Sequence, residues 1–209
     1  MSFAALPSTD KAQRLLSAAI SAAKEYYECS GIHIGESAIE HFLQVRIWEA
    51  ISEKGKVFCT METSPSDILR WSGVKNGGTI IQTGRFDVVF CGAGRDEKPR
   101  GIIELKVGRK SEEFAADFKR IYEFSELANK SGAEIQSVAA LFVERLTRGN
   151  EKQRINEGVE VLLDDHKKFV DGRCEFPKQW KFERDTYKDR ISVKEIHELV
   201  AGVAWADIS

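Results

Sequence analysis

The sequence predicts an α/β domain, a small mixed sheet covered by helices on both sides, and three observations carry that expectation. Two apolar runs, "GRFDVVFCG" and "RGIIELKVG", flank the polar stretch "AGRDEKP", which is the pattern of a hairpin. A helical pattern follows, "SEEFAADFKRIYEFSELANKSG", and after it another apolar run, "EIQSVAALFVE". A strand that returns after a helix needs a crossover, so it is expected to run parallel to the strand before that helix.

The remaining elements follow in order. "STDKAQRLLSAAISAAKEYYECSG" predicts a first helix, with Ser8 or Thr9 as cap and Gly31 past its end. "IGESAIEHFLQVRIWEAISEKG" predicts a second, closed by Gly55. The β-rich "KVFCTMET" comes next, then a Ser/Pro/Asp stretch and "WSGVKNGGTI", whose Asn76-Gly77-Gly78 reads as a turn. Ser111 caps the helix after the hairpin, with two acidic residues in its first turn. Beyond Gly149 the chain predicts a helix, "NEGVEVLLDDHKKFV", a loop containing "GRCEFPKQW", and a last short helix, "VKEIHELVAGVA".

At 209 residues the chain is the size of one domain. An apolar share of 42% and a charged share of 31% are those of an ordinary soluble globular protein. A net charge of −2 argues against coating nucleic acid through bulk charge, although it leaves room for a local positive face. Cys29, Cys59, Cys91 and Cys174 are spaced neither as a zinc site nor as a disulfide framework, and read as free thiols. The start, "MSFAALPSTDKAQRLLSAAI", lacks the layout of a signal peptide, and no 18-residue apolar run is present. A soluble, cytoplasmic protein is the expectation.

The chemistry concentrates in "IIELK". Side chains alternate along a strand, so Ile102, Glu104 and Lys106 share one face and Ile103, Leu105 and Val107 the other. Charges alternating on a solvated face are ordinary. Here both faces carry apolar residues, which favours a covered sheet. If the hairpin closes around residues 94–96, Asp87 comes opposite this segment, near Glu104. Two carboxylates held so close repel unless a cation lies between them, and a hard divalent ion, Mg²⁺ or Mn²⁺, suits oxygen ligands. Lys106 is then in reach of the same spot.

Asp87, sixteen intervening residues and then Glu104-Leu105-Lys106 resemble the core of the PD-(D/E)XK nuclease superfamily. The resemblance implies a restriction-endonuclease-like three-layer α/β/α fold with a small central mixed sheet. It also implies hydrolysis of DNA phosphodiesters with Mg²⁺. Arg85-Phe86 stands where that pattern has a proline immediately before the aspartate. The group often adds a helix glutamate, for which Glu36, Glu40 and Glu49 are candidates. Glu36 and Glu40 fall within the apolar half of the second helix and Glu49 points away, so Glu40 is preferred, then Glu36. Polar residues of the helix after the motif often lie near phosphates in this group; here they are Asp117, Lys119, Arg120 and Tyr122, with Arg120 foremost, beside Arg109 and Lys110 ahead of it.

The resemblance covers about residues 35–145 of a single domain, 1–209, with an N-terminal helix at 8–30 and a C-terminal helical extension at 150–209. It implies catalytic roles for Asp87, Glu104, Lys106 and Glu40, with Asp87 and Glu104 as metal ligands. The expected function is a metal-dependent endo- or exodeoxyribonuclease. The alternative is a catalytically inactive nucleic-acid-binding or protein-interaction module on the same scaffold. DNA is the expected partner, and a homodimer is a further expectation because many enzymes of this type pair to cut both strands. His33, His41, His166 and His197 share no spacing and no nucleophile motif. A second basic set, Lys178, Lys181, Arg184, Lys188 and Arg190, is interleaved with Trp180, Phe182 and Tyr187; such a mixture serves base stacking or, equally, a solvated rim.

Overall fold

Leu15, Leu16, Ala19, Ile20, Ala22 and Ala23 recur at helical spacing in α1 (Ser8–Ser30), and all are buried. Leu43, Ile47 and Ile51 form the matching stripe of α2 (Ala38–Ile51). A helix with one apolar stripe must bury it against another element. In the computed structural model that element is one face of a six-stranded mixed sheet, ordered β1-β2-β3-β4-β6-β5. Its strands are β1 (Cys59–Thr63), β2 (Phe86–Cys91), β3 (Pro99–Val107), β4 (Ser137–Thr147), β5 (Lys181–Lys188) and β6 (Ile196–Asp207). Two further helices, α3 (Pro65–Trp71) and α4 (Ser111–Lys130), complete the elements. The structure describes residue 3 and residues 6–30, 38–52, 59–74, 84–92, 98–107, 111–147, 181–188 and 196–208.

The sheet separates two cores. Val88, Phe90, Ile103, Leu105, Ala139, Leu141, Val203 and Trp205 pack with α1, α2 and Phe3. Val89, Ile102, Val138 and Ala140 pack with Ile68 and Leu69 of α3 and with Phe118, Ile121, Phe124 and Ala128 of α4. Three layers, helix, sheet and helix, are the result. As the sequence predicts, β2 and β3 pair antiparallel and β3 and β4 pair parallel across α4.

The register of the hairpin is locked by a glycine. Gly101 lies opposite Phe90, and a Cβ there would sit 2.0 Å from Phe90 Cζ and 2.8 Å from the Ser137 carbonyl oxygen. The ring crosses the space a side chain would need. Phe90 in turn meets Phe3 edge-on at 5.2 Å and lies nearly parallel to Trp205 at 6.2 Å.

Two expectations need correction. The extension at 150–209 is not helical where it is described, and "VKEIHELVAGVA" is not a short helix. Residues 181–188 form β5 and residues 196–207 form β6, which pairs antiparallel to β4 from Ser137↔Asp207 to Thr147↔His197. The segment is apolar at both strand and helix spacing. Its partner decides, because β4 is flanked by β3 on one side only and needs a second neighbour for its backbone groups. Val203 and Trp205, two apart, are both buried on the α1 face. The other correction is α3, seven residues where only a Ser/Pro/Asp stretch is legible; Ser64 caps it by accepting from the Asp67 N–H at 3.2 Å, with Pro65 in its first turn. The predicted helix at 156–170 lies outside the described residues. No helix among the described residues is long and apolar enough to cross a membrane.

Candidate active site

The site begins where β2 and β3 part. Their pairing runs through Val89↔Ile102 to Val88↔Ile103 and stops, one step before Asp87 would face Glu104. Beyond that point Asp87 Oδ2 accepts the Leu105 N–H at 2.6 Å, so a carboxylate takes the place of a ladder carbonyl. Its other oxygen accepts from Gln44 Nε2 at 3.0 Å. Gln44 is buried on α2, next to Leu43 of the apolar stripe, and also reaches Glu62 Oε1 at 2.6 Å. Glu62, at the end of β1, has φ 51°, a left-handed conformation that a non-glycine residue rarely adopts and that costs energy.

Glu104 sits across from this group and is only 8% exposed. One of its oxygens, Oε1, is paired with the Arg120 guanidinium from α4, while Oε2 is buried and has no hydrogen-bond partner. Arg120 lies over the Phe86 ring, 5.3 Å from its centroid, and its Nη2 is 3.7 Å from Asp117 Oδ1. Lys106 reaches the same aspartate from β3, Nζ to Oδ2, at 3.3 Å. Asp117 is thus shared by the two cations of the site.

Both central carboxyls are held above the ordinary carboxylate range. For Glu104 burial is the largest cause and the nearby Asp87 charge the next; Arg120 and Lys106 oppose them. For Asp87 burial again leads, countered by the Leu105 N–H and Gln44 and reinforced by Glu40 and Glu62. Five acidic side chains, Glu40, Glu62, Asp87, Glu104 and Asp117, therefore act on one place that holds two cations, Lys106 and Arg120. Carboxyls held in this way keep their protons to higher pH than free ones, and a bound cation would relieve the same repulsion.

Of the residues the sequence points to, Asp87, Glu104, Lys106, Glu40 and Arg120 are brought together. Glu40 is one helical turn before Gln44 and acts electrostatically on Asp87. Glu49 turns to Arg46 at 2.8 Å, away from the site. Arg120 is engaged with Glu104, whereas the sequence suggests a phosphate contact for it. Lys119 is exposed beside Glu123 and Tyr122 packs into the α4 core. Glu36, Arg109 and Lys110 lie outside the described residues. Gln44 and Glu62 are not singled out by the sequence. Gln44 had a signal, a polar residue on a buried helical stripe; Glu62 had none.

Among the described residues no group of three or more His, Cys, Asp or Glu is arranged to hold a metal ion. The donors that are present nonetheless suit a hard divalent cation. Mg²⁺ commonly takes one or two carboxylates and fills its remaining positions with water and phosphate oxygens. Asp87 and Glu104 would supply the two carboxylates, and Glu104 Oε2 is a buried oxygen without a partner. Compared with known families and with curated proteins, the chain matches none.

Proposed function

We propose that this domain is a divalent-metal-dependent nuclease that hydrolyses phosphodiester bonds of DNA. The observation that carries the proposal is the meeting of two desolvated carboxyls, Asp87 and Glu104, at the fork of a hairpin, with Lys106 on the same side and one oxygen of Glu104 bare. Asp87 and Glu104 would hold Mg²⁺ or Mn²⁺. When bound, the ion would polarise the phosphoryl oxygens and offset the charge that grows on them during attack.

The chain's own groups do the rest. Gln44 and the Leu105 N–H fix both oxygens of Asp87, so the carboxylate cannot rotate away. Lys106, with about a third of its side chain exposed and its ammonium 3.3 Å from Asp117 Oδ2, could orient an attacking water. Glu40 adds negative charge behind Asp87 and raises the affinity of the pair for cations.

A second function, a binding module that does not cut, is favoured by one observation: Arg120 already satisfies one oxygen of Glu104. The two are separated by incubating single-stranded, duplex and branched DNA with Mg²⁺ or Mn²⁺, wild type beside Glu104→Ala. Metal-dependent cutting by the wild type, reduced about 10³-fold or more in the variant, is expected. No cutting of any of the three substrates, with DNA retention unchanged by Asp87→Asn, would instead establish the binding module. Pairing of two copies through regions beyond this site would show in sedimentation velocity as a species above 23.5 kDa.

A further inference from the structure

We propose that Arg120 and the divalent ion are alternative partners of Glu104, so that the arginine holds the carboxylate until metal arrives and is then released toward a substrate phosphate. The inference rests on the metal-dependent function above and adds to it a coupling between ion and substrate.

The argument starts from charge in a poorly hydrated place. Glu104 cannot remain there as an unpaired anion, and Arg120 supplies the cation. A divalent ion on the bare Oε2 would place two further positive charges beside the guanidinium. With the donors so close, that repulsion weakens either the ion or the arginine. Arg120 is the one that can move. Its side chain is 31% exposed against 10% for Glu104, so it spans from the buried carboxylate to the surface.

The exit is also prepared. Asp117 Oδ1 lies 3.7 Å from the same Nη2 that contacts Glu104, and the Phe86 ring supports the face of the planar cation. Gly84 is close enough that a Cβ there would be 3.4 Å from Arg120 Nη1, so a bare backbone forms one wall. An arginine that lets go of Glu104 thus keeps an anionic neighbour and an aromatic shelf, with donors left to bind a phosphate. Linkage then requires reciprocity: a phosphodiester that engages Arg120 raises metal affinity, and metal raises affinity for the phosphodiester.

The test measures binding rather than turnover. Mn²⁺ is titrated calorimetrically into wild type, Arg120→Met and Arg120→Lys at pH 8, with Glu104→Gln as control. Arg120→Met is expected to bind Mn²⁺ about tenfold more tightly than wild type, within the usual range of coupling between sites. Arg120→Lys, with one compact ammonium in place of the fork, is expected to fall between them and carries the comparison if the methionine variant does not fold. A short non-cleavable oligonucleotide should tighten Mn²⁺ binding in the wild type and not in Arg120→Met. Equal or weaker Mn²⁺ binding by both arginine variants would overturn the exchange and leave the metal site standing. Absence of Mn²⁺ binding in wild type and variants alike would overturn the metal-dependent function itself.

Discussion

Lys11 and Glu104 are both buried charges, 6% and 8% exposed, and the protein treats them in opposite ways. Around Lys11 everything matches. The ammonium, held below its ordinary range by burial, meets Ser137 Oγ at 3.3 Å, Asp207 Oδ1 at 3.7 Å and the face of Trp205 at 5.2 Å. Ser137 and the Trp205 indole also donate to Asp207 Oδ1, at 2.6 and 2.9 Å. One cation and one anion, joined through shared partners, tie α1 to the ends of β4 and β6. Around Glu104 acids outnumber bases and an oxygen is left bare, and Glu62, which joins the site through Gln44, has a strained backbone. A buried charge kept for structure is satisfied; one left partly unsatisfied is the ground for the function proposed above.

That contrast can be broken experimentally, and Lys106 offers the largest effect. Lys106→Met is expected to lower the rate of metal-dependent cleavage about 10²-fold or more while changing stability by less than about 1 kcal/mol. A variant that melts like wild type and cuts at the wild-type rate would remove Lys106 from the reaction. At the structural end the signs reverse. Asp207→Ala leaves Lys11 without its counter-charge and should cost about 1–3 kcal/mol, less than for a fully buried pair because the Asp207 side chain is 45% exposed. Lys11→Met, which removes the buried cation itself, should be within about 1 kcal/mol of neutral. Neither should alter cleavage; chemical denaturation and the DNA assay, run together, check both.

The smallest effect is a slope. Asp87 and Glu104 have folded-state values raised above their unfolded ones, so the stability they contribute is complete below about pH 4 and is lost as pH rises through the raised values. Melting of the metal-free protein should therefore shift down by a few degrees between about pH 5 and pH 8 relative to Asp87→Asn. Saturating Mg²⁺ should flatten that difference. An identical pH profile for wild type and Asp87→Asn, with or without Mg²⁺, would count against a strained carboxyl pair.

How much of this was legible follows from how local each signal is. Glu104 and Lys106 lie in one strand whose alternation sets their face, and Asp87 belongs to the adjacent strand of a hairpin. The register Val88↔Ile103 is what a short connection between two apolar runs favours. The parallel return of β4 also follows from chain order alone. The strand at 196–207 was hidden because its hydrophobic pattern suits either period, and only the unpaired flank of β4 selects one. At seven residues α3 is too short for periodicity, leaving its cap as the signal. Glu62 joins the site through Gln44, a side chain on another element, and Arg120 finds Glu104 across the α4–β3 packing. Neither tertiary contact leaves a mark in the order of residues.

Gly101 acts as a gauge for the hairpin. Slide β2 by one residue and the Phe90 ring must cross Arg100 or Ile102, both of which carry the Cβ that Gly101 lacks. The same slip would turn each side chain of β2 to the opposite face of the sheet. Held in register by that missing carbon, the strands deliver Asp87 to the level of Glu104, three residues along from the glycine. Spacing between the two acids is therefore set at a position that touches neither of them, and Gly101→Ala would act on the site from a distance, as a change of alignment.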